Sequence, residues 1–152
     1  MEFVLWASRV MHIVSVVVWV GGLIFFNAIF RPIAEHDQAT QSHLTVESLK
    51  RFQAFIWSSL WPLLITGLLL LALRSRFVWF DFSTWWSRLL LVKEVSFVLL
   101  LFFAWQMGKI VQKLPGDEKE FAGWWLAYTK VVKRSIAVAL LAILSAAGMM
   151  VL

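Results

Sequence analysis

Residues 10–32 read VMHIVSVVVWVGGLIFFNAIFRP, and the fold turns on how this stretch is read. It has the composition of a bilayer-spanning helix, which needs about 20 apolar residues, yet it holds a histidine, His12. Steps of four and three from Ser8 pass through His12, Ser15, Trp19, Gly22 and Phe26, and on a helix these fall on one stripe. Small and polar groups lie on that stripe, while Val, Ile, Leu and Phe fill the rest of the surface. In lipid such a stripe turns inward, towards other helices or a ligand, because its polar groups find no partner among hydrocarbon chains. The stretch therefore predicts a helix bundle assembled around the face that carries His12.

The remaining chain has the same character. Of 152 residues, 61% are hydrophobic and 15% charged, against about 45–50% and about 25% in a soluble domain. Mean hydropathy is +0.80, and an integral membrane protein is predicted. Ten Trp against one Tyr fit that setting, since Trp gathers at membrane interfaces. No cysteine is present, which excludes disulfides, thiolate metal sites, iron–sulfur clusters and thioether-linked haem. A haem held by side-chain coordination alone remains open. The net charge of +5 belongs to loops that set orientation, and nucleic-acid binding is not expected without a soluble basic domain. Glu2, the long apolar run and the lack of a small-x-small cleavage site predict a retained first helix, not a cleaved signal.

Four apolar runs predict helices at about 3–30, 52–74, 86–112 and 124–151. They form one domain, an all-α, up-down integral membrane four-helix bundle with both termini on one face. Arg31-Pro32 is expected to stop the first helix, and residues 45–55 offer an amphipathic extension of the second. Pro62 is expected to kink the second helix, since it lacks an amide donor. Pro115-Gly116 marks a turn. Nine Lys and Arg flank loops one and three, against five on the other side. Loops one and three are thus expected to be cytoplasmic and the termini periplasmic, in a bacterial inner membrane.

Counting ~12 Å inward from the terminal side brings four positions to the level of His12. They are His12 itself, Thr66-Gly67, Lys93-Glu94 and Ser145. Gly67 leaves space for a flat ring or a close backbone. A histidine in a membrane helix is costly enough to be functional or hydrogen-bonded. His12 is read as a haem or metal ligand, a structural hydrogen-bond partner or a proton relay. Lys93 and Glu94 either snorkel to the interface or pair inside with Arg9, His12 or a haem propionate. His36 and His43, with Glu35, Asp37 and Glu47, make a solvated loop or a metal site. Met107, Met149 and Met150 are soft potential ligands or packing groups. Trp57, Trp61, Trp85, Trp86, Trp124 and Trp125 are read as interfacial anchors. No phosphate loop, nucleophile motif or paired carboxylates argue for a particular enzyme.

His12, Trp19-Val20-Gly21-Gly22, Phe25-Phe26 and Arg31-Pro32 together resemble the first helix of copper-resistance protein D-like (CopD) membrane proteins. Thr66-Gly67 and Arg88-Leu89-Leu90-Leu91-Val92 extend the likeness over about two thirds of the chain. The pattern is also similar to HemJ-type protoporphyrinogen oxidases, which are four-helix haem b proteins. The resemblance implies a bundle whose first-helix histidine, here His12, binds haem or takes part in copper handling. Arg88 stands where the oxidases place a functional lysine. Their third-helix histidine has no counterpart in residues 97–105, so a haem held by two histidines is not expected here unless a partner subunit contributes one.

Three functions follow as expectations. In the first, the protein is a haem b redox or electron-transfer protein. His12 is the axial ligand, with Ser15, Trp19, Gly22, Thr66 and Gly67 around it. Arg88, Lys93 or Arg9 meets the propionates, Glu94 stands beside Lys93, and Met149 or Lys93 is a weak sixth ligand. A quinone or a redox protein is the expected partner. In the second, the protein is a non-enzymatic accessory subunit of a larger complex, or a homo-oligomer, without cofactor. The third is copper handling, for which the chain lacks Cys, Met-x-x-Met clusters and histidine runs.

Overall fold

The computed structural model describes residues 2–36, 43–73, 84–113 and 118–151. Its elements are α1 (Glu2–Phe25), a π-helical turn (Phe26–Phe30), α2 (Arg31–His36), α3 (His43–Ala72), α4 (Trp85–Gln112) and α5 (Glu118–Val151). The described residues form an all-α four-helix bundle without strands. Four rods are long and apolar enough to cross a membrane: Glu2–Glu35, Glu47–Ala72, Trp85–Gln112 and Phe121–Met149.

Arg31-Pro32 does not stop the first rod, as the sequence reading expected. The Arg31 amide donates to the Phe26 carbonyl, five residues back, so the π turn takes up one extra residue. Pro32, which has no N–H to give, then falls in the first turn of a new α segment, where proline is tolerated. In the second rod α3 begins at His43, so the amphipathic stretch is continuous with the span. An exposed Arg51–Glu47 pair at 3.2 Å supports that extension. Pro62 lies inside α3, which runs through it. α5 starts at Glu118, ahead of Trp124, where the apolar run had placed its beginning.

Neighbouring rods run antiparallel, as their contacts register. A side chain built on Gly67 of α3 would stand 3.5 Å from His12 of α1, and one on Gly22 of α1 would stand 3.2 Å from Phe55 of α3. Gly148 of α5 meets Leu89 of α4 in the same way, at 3.1 Å. At the other end of that pair the Trp124 indole donates to the Ile110 carbonyl. α1 with α3, and α4 with α5, make the closest pairs, and the two pairs meet less extensively.

The apolar core joins these pairs around Trp19, Leu23 and Phe26 of α1, Ile56 and Leu60 of α3, Leu100 and Met107 of α4, and Tyr128 and Val132 of α5. Phe26 is its hub, with ring centroids 5.2 Å from Phe52 and 5.4 Å from Tyr128. Gln53 crosses from α3 to donate 2.7 Å to the Ala104 carbonyl of α4, an interhelical bond of the kind that holds helices together in lipid. At the loop end, Glu35 accepts from Arg31 at 2.8 Å and from the Trp125 indole at 3.1 Å. The core is not evenly spread along the bundle. At the level of His12 and beyond it towards the terminal end, Leu90 is the only buried hydrophobic side chain among the described residues. Leu90 also stands outside the contiguous core cluster.

Candidate functional site

The structure brings three of the expected site residues into direct contact. His12 Nδ1 lies 3.0 Å from Thr66 Oγ1, across the α1–α3 interface. Gly67, next on α3, lies against the imidazole edge, and a Cβ there would make ordinary contact with it, 3.5 Å from His12 Cε1 and 3.9 Å from Nδ1. The spacing of the two helices therefore sets the ring orientation.

Proton accounting then fixes the roles of the two ring nitrogens. The Thr66 hydroxyl has one proton, and its oxygen lies 2.6 Å from the Pro62 carbonyl and 3.3 Å from that of Leu63. Neither carbonyl can donate, so the hydroxyl proton points back to its own helix. Thr66 Oγ1 must then accept, and His12 Nδ1 must carry the proton. In the neutral ring this leaves the lone pair on Nε2, the arrangement in which a histidine ligates through one nitrogen while the other is held by a hydrogen bond. The ring also forms a hydrogen bond with the backbone of Leu63 on α3.

The other expected residues fall into distinct places. Lys93 of α4 is half-buried and within electrostatic reach of His12. Glu94 beside it is half-buried. Ser8, Ser15 and Ser145 are buried, and their hydroxyls donate to their own helices, to Val4, Met11 and Ala142. Ser96 of α4, which the sequence reading passed over, does the same to Val92. These serines present small polar surfaces with acceptor lone pairs still available.

Trp19 and Gly22 share the inward stripe with His12 but not its surroundings. Ten residues separate Gly22 from His12, ~15 Å along a helix. Phe55 and Phe52 close over Gly22, and Trp19 is 3% exposed within the apolar core. Arg88 stands at the start of α4, with its guanidinium 5.1 Å from the centre of the Trp85 ring. Met149 is half-buried near the end of α5. The side chains of His36, His43 and Met150 lie outside the described residues.

Sequence reasoning missed a second polar level within the core. Gln53 and Tyr128 are 9% and 0% exposed. Gln53 Oε1, the Tyr128 hydroxyl, Trp19 Nε1 and Asn27 Oδ1 are buried without a partner. The signal was present, since Tyr128 is the one tyrosine of the chain and Gln53 interrupts an apolar run. Trp124 and Trp125, read as interface anchors, bind Ile110 and Glu35 on other helices. Trp61 and Trp85 do face outward, at 58% and 69% exposure.

Fold and site together define a four-helix bundle of membrane-length helices in which His12 of α1 is bonded through Nδ1 to Thr66 of α3. Comparison of the chain with protein-family models, curated proteins and solved structures gives no match.

Proposed function

We propose that this chain is an integral membrane haem b protein of redox or electron-transfer type, in which His12 would hold the haem. The observation that carries the reading is the His12–Thr66 bond of 3.0 Å, which holds the imidazole through Nδ1 as ligating histidines are held. Two further features fit a flat apolar group. Gly67 carries no side chain beside the ring, and at this level Leu90 is the only buried hydrophobic among the described residues. Lys93 supplies a cation on the adjoining helix to meet a carboxylate by a charge-assisted hydrogen bond. A haem at this place would supply one-electron chemistry and, with no second histidine at its level, a position open to exogenous ligands. The work of the chain is to hold the imidazole in one orientation and to keep bulk water from it. We place the protein in a bacterial inner membrane with periplasmic termini, exchanging electrons with a quinone or a partner protein.

A second reading has one observation in its favour. The His12–Thr66 bond also satisfies a membrane histidine structurally, as in an accessory subunit without cofactor. Copper handling has less support. Among the described residues no three His, Cys, Asp or Glu side chains gather to hold a metal ion. The absorption spectrum of the purified, detergent-solubilised chain separates the three. A Soret band, carbon monoxide binding by the reduced protein and loss of both in His12→Ala are the expected outcome. Bound copper without haem would support the copper reading. A colourless, metal-free protein would replace this reading with the accessory one, and haem fully kept in His12→Ala would overturn the His12 assignment.

A further inference from the structure

The outward face of α5 changes character along its length. Lys130, Lys133 and Arg134 are exposed and share one helix face by their i, i+3, i+4 spacing. Further along the same face come Leu140 and Leu144, 48% and 68% exposed. Contacts with α1 and α2 set the level of the cations. Tyr128 packs at 5.4 Å on Phe26 and Trp125 bonds to Glu35, so Lys133 and Arg134 stand beside the part of α1 that precedes Phe26. The outward neighbours at that level are hydrocarbon-facing, with Ile24 of α1 at 47% exposure and Phe102 of α4 at 48%. The cations therefore stand inside the apolar belt of the bundle, where a lone charge is costly.

Their own geometry supplies part of the relief. Side chains on a helix lean towards its N-terminus, and the N-terminus of α5 is at the Glu35 end, so the ammonium groups reach outward to the headgroup zone. Lys133 is within electrostatic reach of Glu35. That carboxylate, however, already accepts from Arg31 and Trp125. Neither Lys130 nor Arg134 has an ion-pair partner among the described residues. Among the described residues these two cations are therefore open to an anion from outside the chain.

We propose that this face of α5 binds an anionic phospholipid, its phosphate among Lys130, Lys133 and Arg134 and its acyl chains along Leu140 and Leu144. The order of the face, cations towards the headgroup zone and branched aliphatics towards the bilayer centre, matches such a lipid end to end. A soluble acidic ligand would match the cations alone. The site is independent of any cofactor at His12.

The test uses the full chain in neutral detergent, titrated with phosphatidylglycerol or with phosphatidylcholine, reading the thermal midpoint by circular dichroism. Phosphatidylglycerol should raise the midpoint more than phosphatidylcholine does, and high salt should reduce that excess. Lys130→Gln/Lys133→Gln/Arg134→Gln should weaken apparent phosphatidylglycerol binding by roughly a hundredfold, about fivefold per cation. Its midpoint in phosphatidylcholine should stay at the wild-type value. If the triple variant fails to fold, the headgroup and salt comparison on the wild type still decides. Equal shifts with the two lipids, or a variant that keeps the phosphatidylglycerol shift, would overturn the proposal. Inorganic phosphate reproducing the shift would overturn it in favour of a free anion, and polyglutamate doing so in favour of an acidic protein segment.

Discussion

His12 is positioned by a hydroxyl whose single proton is already directed at the Pro62 carbonyl, 2.6 Å away on the same helix. That makes Thr66 an acceptor whichever charge the imidazole carries, and it makes the choice of residue at 66 testable. Thr66→Val preserves the branched shape and removes the oxygen. It should cost about 1 kcal/mol, the usual scale of an interhelical hydrogen bond in a membrane protein, read as earlier unfolding in a denaturing-detergent titration. Thr66→Ser keeps the oxygen and should restore most of the loss. Its neighbour separates contact from space. A Cβ on Gly67 would stand 3.5 Å from His12 Cε1, ordinary van der Waals distance, so Gly67→Ala should unfold at the wild-type detergent concentration. Gly67→Leu must push the imidazole off Thr66 and should match or exceed the Thr66→Val loss. Wild-type behaviour of both Thr66→Val and Gly67→Leu would mean that the His12–Thr66 contact holds nothing in place.

Two adjacent glycines give the corresponding test for whole helices. Gly21 is exposed, with nothing within 4 Å of an added Cβ, whereas Gly22 would bring one to 3.2 Å from the Phe55 ring of α3. Gly21→Leu should leave stability within error of the wild type. Gly22→Leu should destabilise the α1–α3 pair by about 1–3 kcal/mol, as overpacking does, measured in the same detergent titration. The heptad spacing from Ser8 had already placed Gly22 on the inward face, and the shared depth of His12, Thr66 and Gly67 followed from counting along two spans. Single-helix periodicity names a face but not the helix that covers it, which is why Gly22 was grouped with His12 although aromatic rings close over it. The same gap hid Tyr128, fully buried only because α5 lies against Phe26. It hid Trp125 as well, whose partner Glu35 is on a helix that Pro32 was expected to end. The π turn at Phe26–Phe30 has no signature in hydropathy, since it alters hydrogen-bond register and not residue type.

At the scale of the molecule the antiparallel pairing has one consequence that labelling can read. His12 against Gly67 and Leu89 against Gly148 lie towards one end of the bundle, and Phe26 against Tyr128 and Ile110 against Trp124 towards the other. Rods of 26 to 34 residues are ~39–51 Å long at 1.5 Å per residue, longer than the ~30 Å hydrocarbon layer. Their ends therefore reach water on both sides. Thr84 and Lys113 flank α4 and are exposed, as are Glu2 at the start of α1 and Glu47 in α3. Because the chain contains no cysteine, single replacements report without background. Glu2→Cys and Thr84→Cys should react with a membrane-impermeant maleimide from one side of sealed vesicles. Glu47→Cys and Lys113→Cys should react only from the other side or after permeabilisation. If Thr84→Cys and Lys113→Cys label from the same side, α4 does not cross the membrane and the four-span arrangement fails. Where the expected pattern holds, the side that exposes Glu2 is also the side nearer His12. The same four variants would then fix which face of the membrane the candidate site approaches, and the excess of Lys and Arg about loops one and three predicts the periplasmic face.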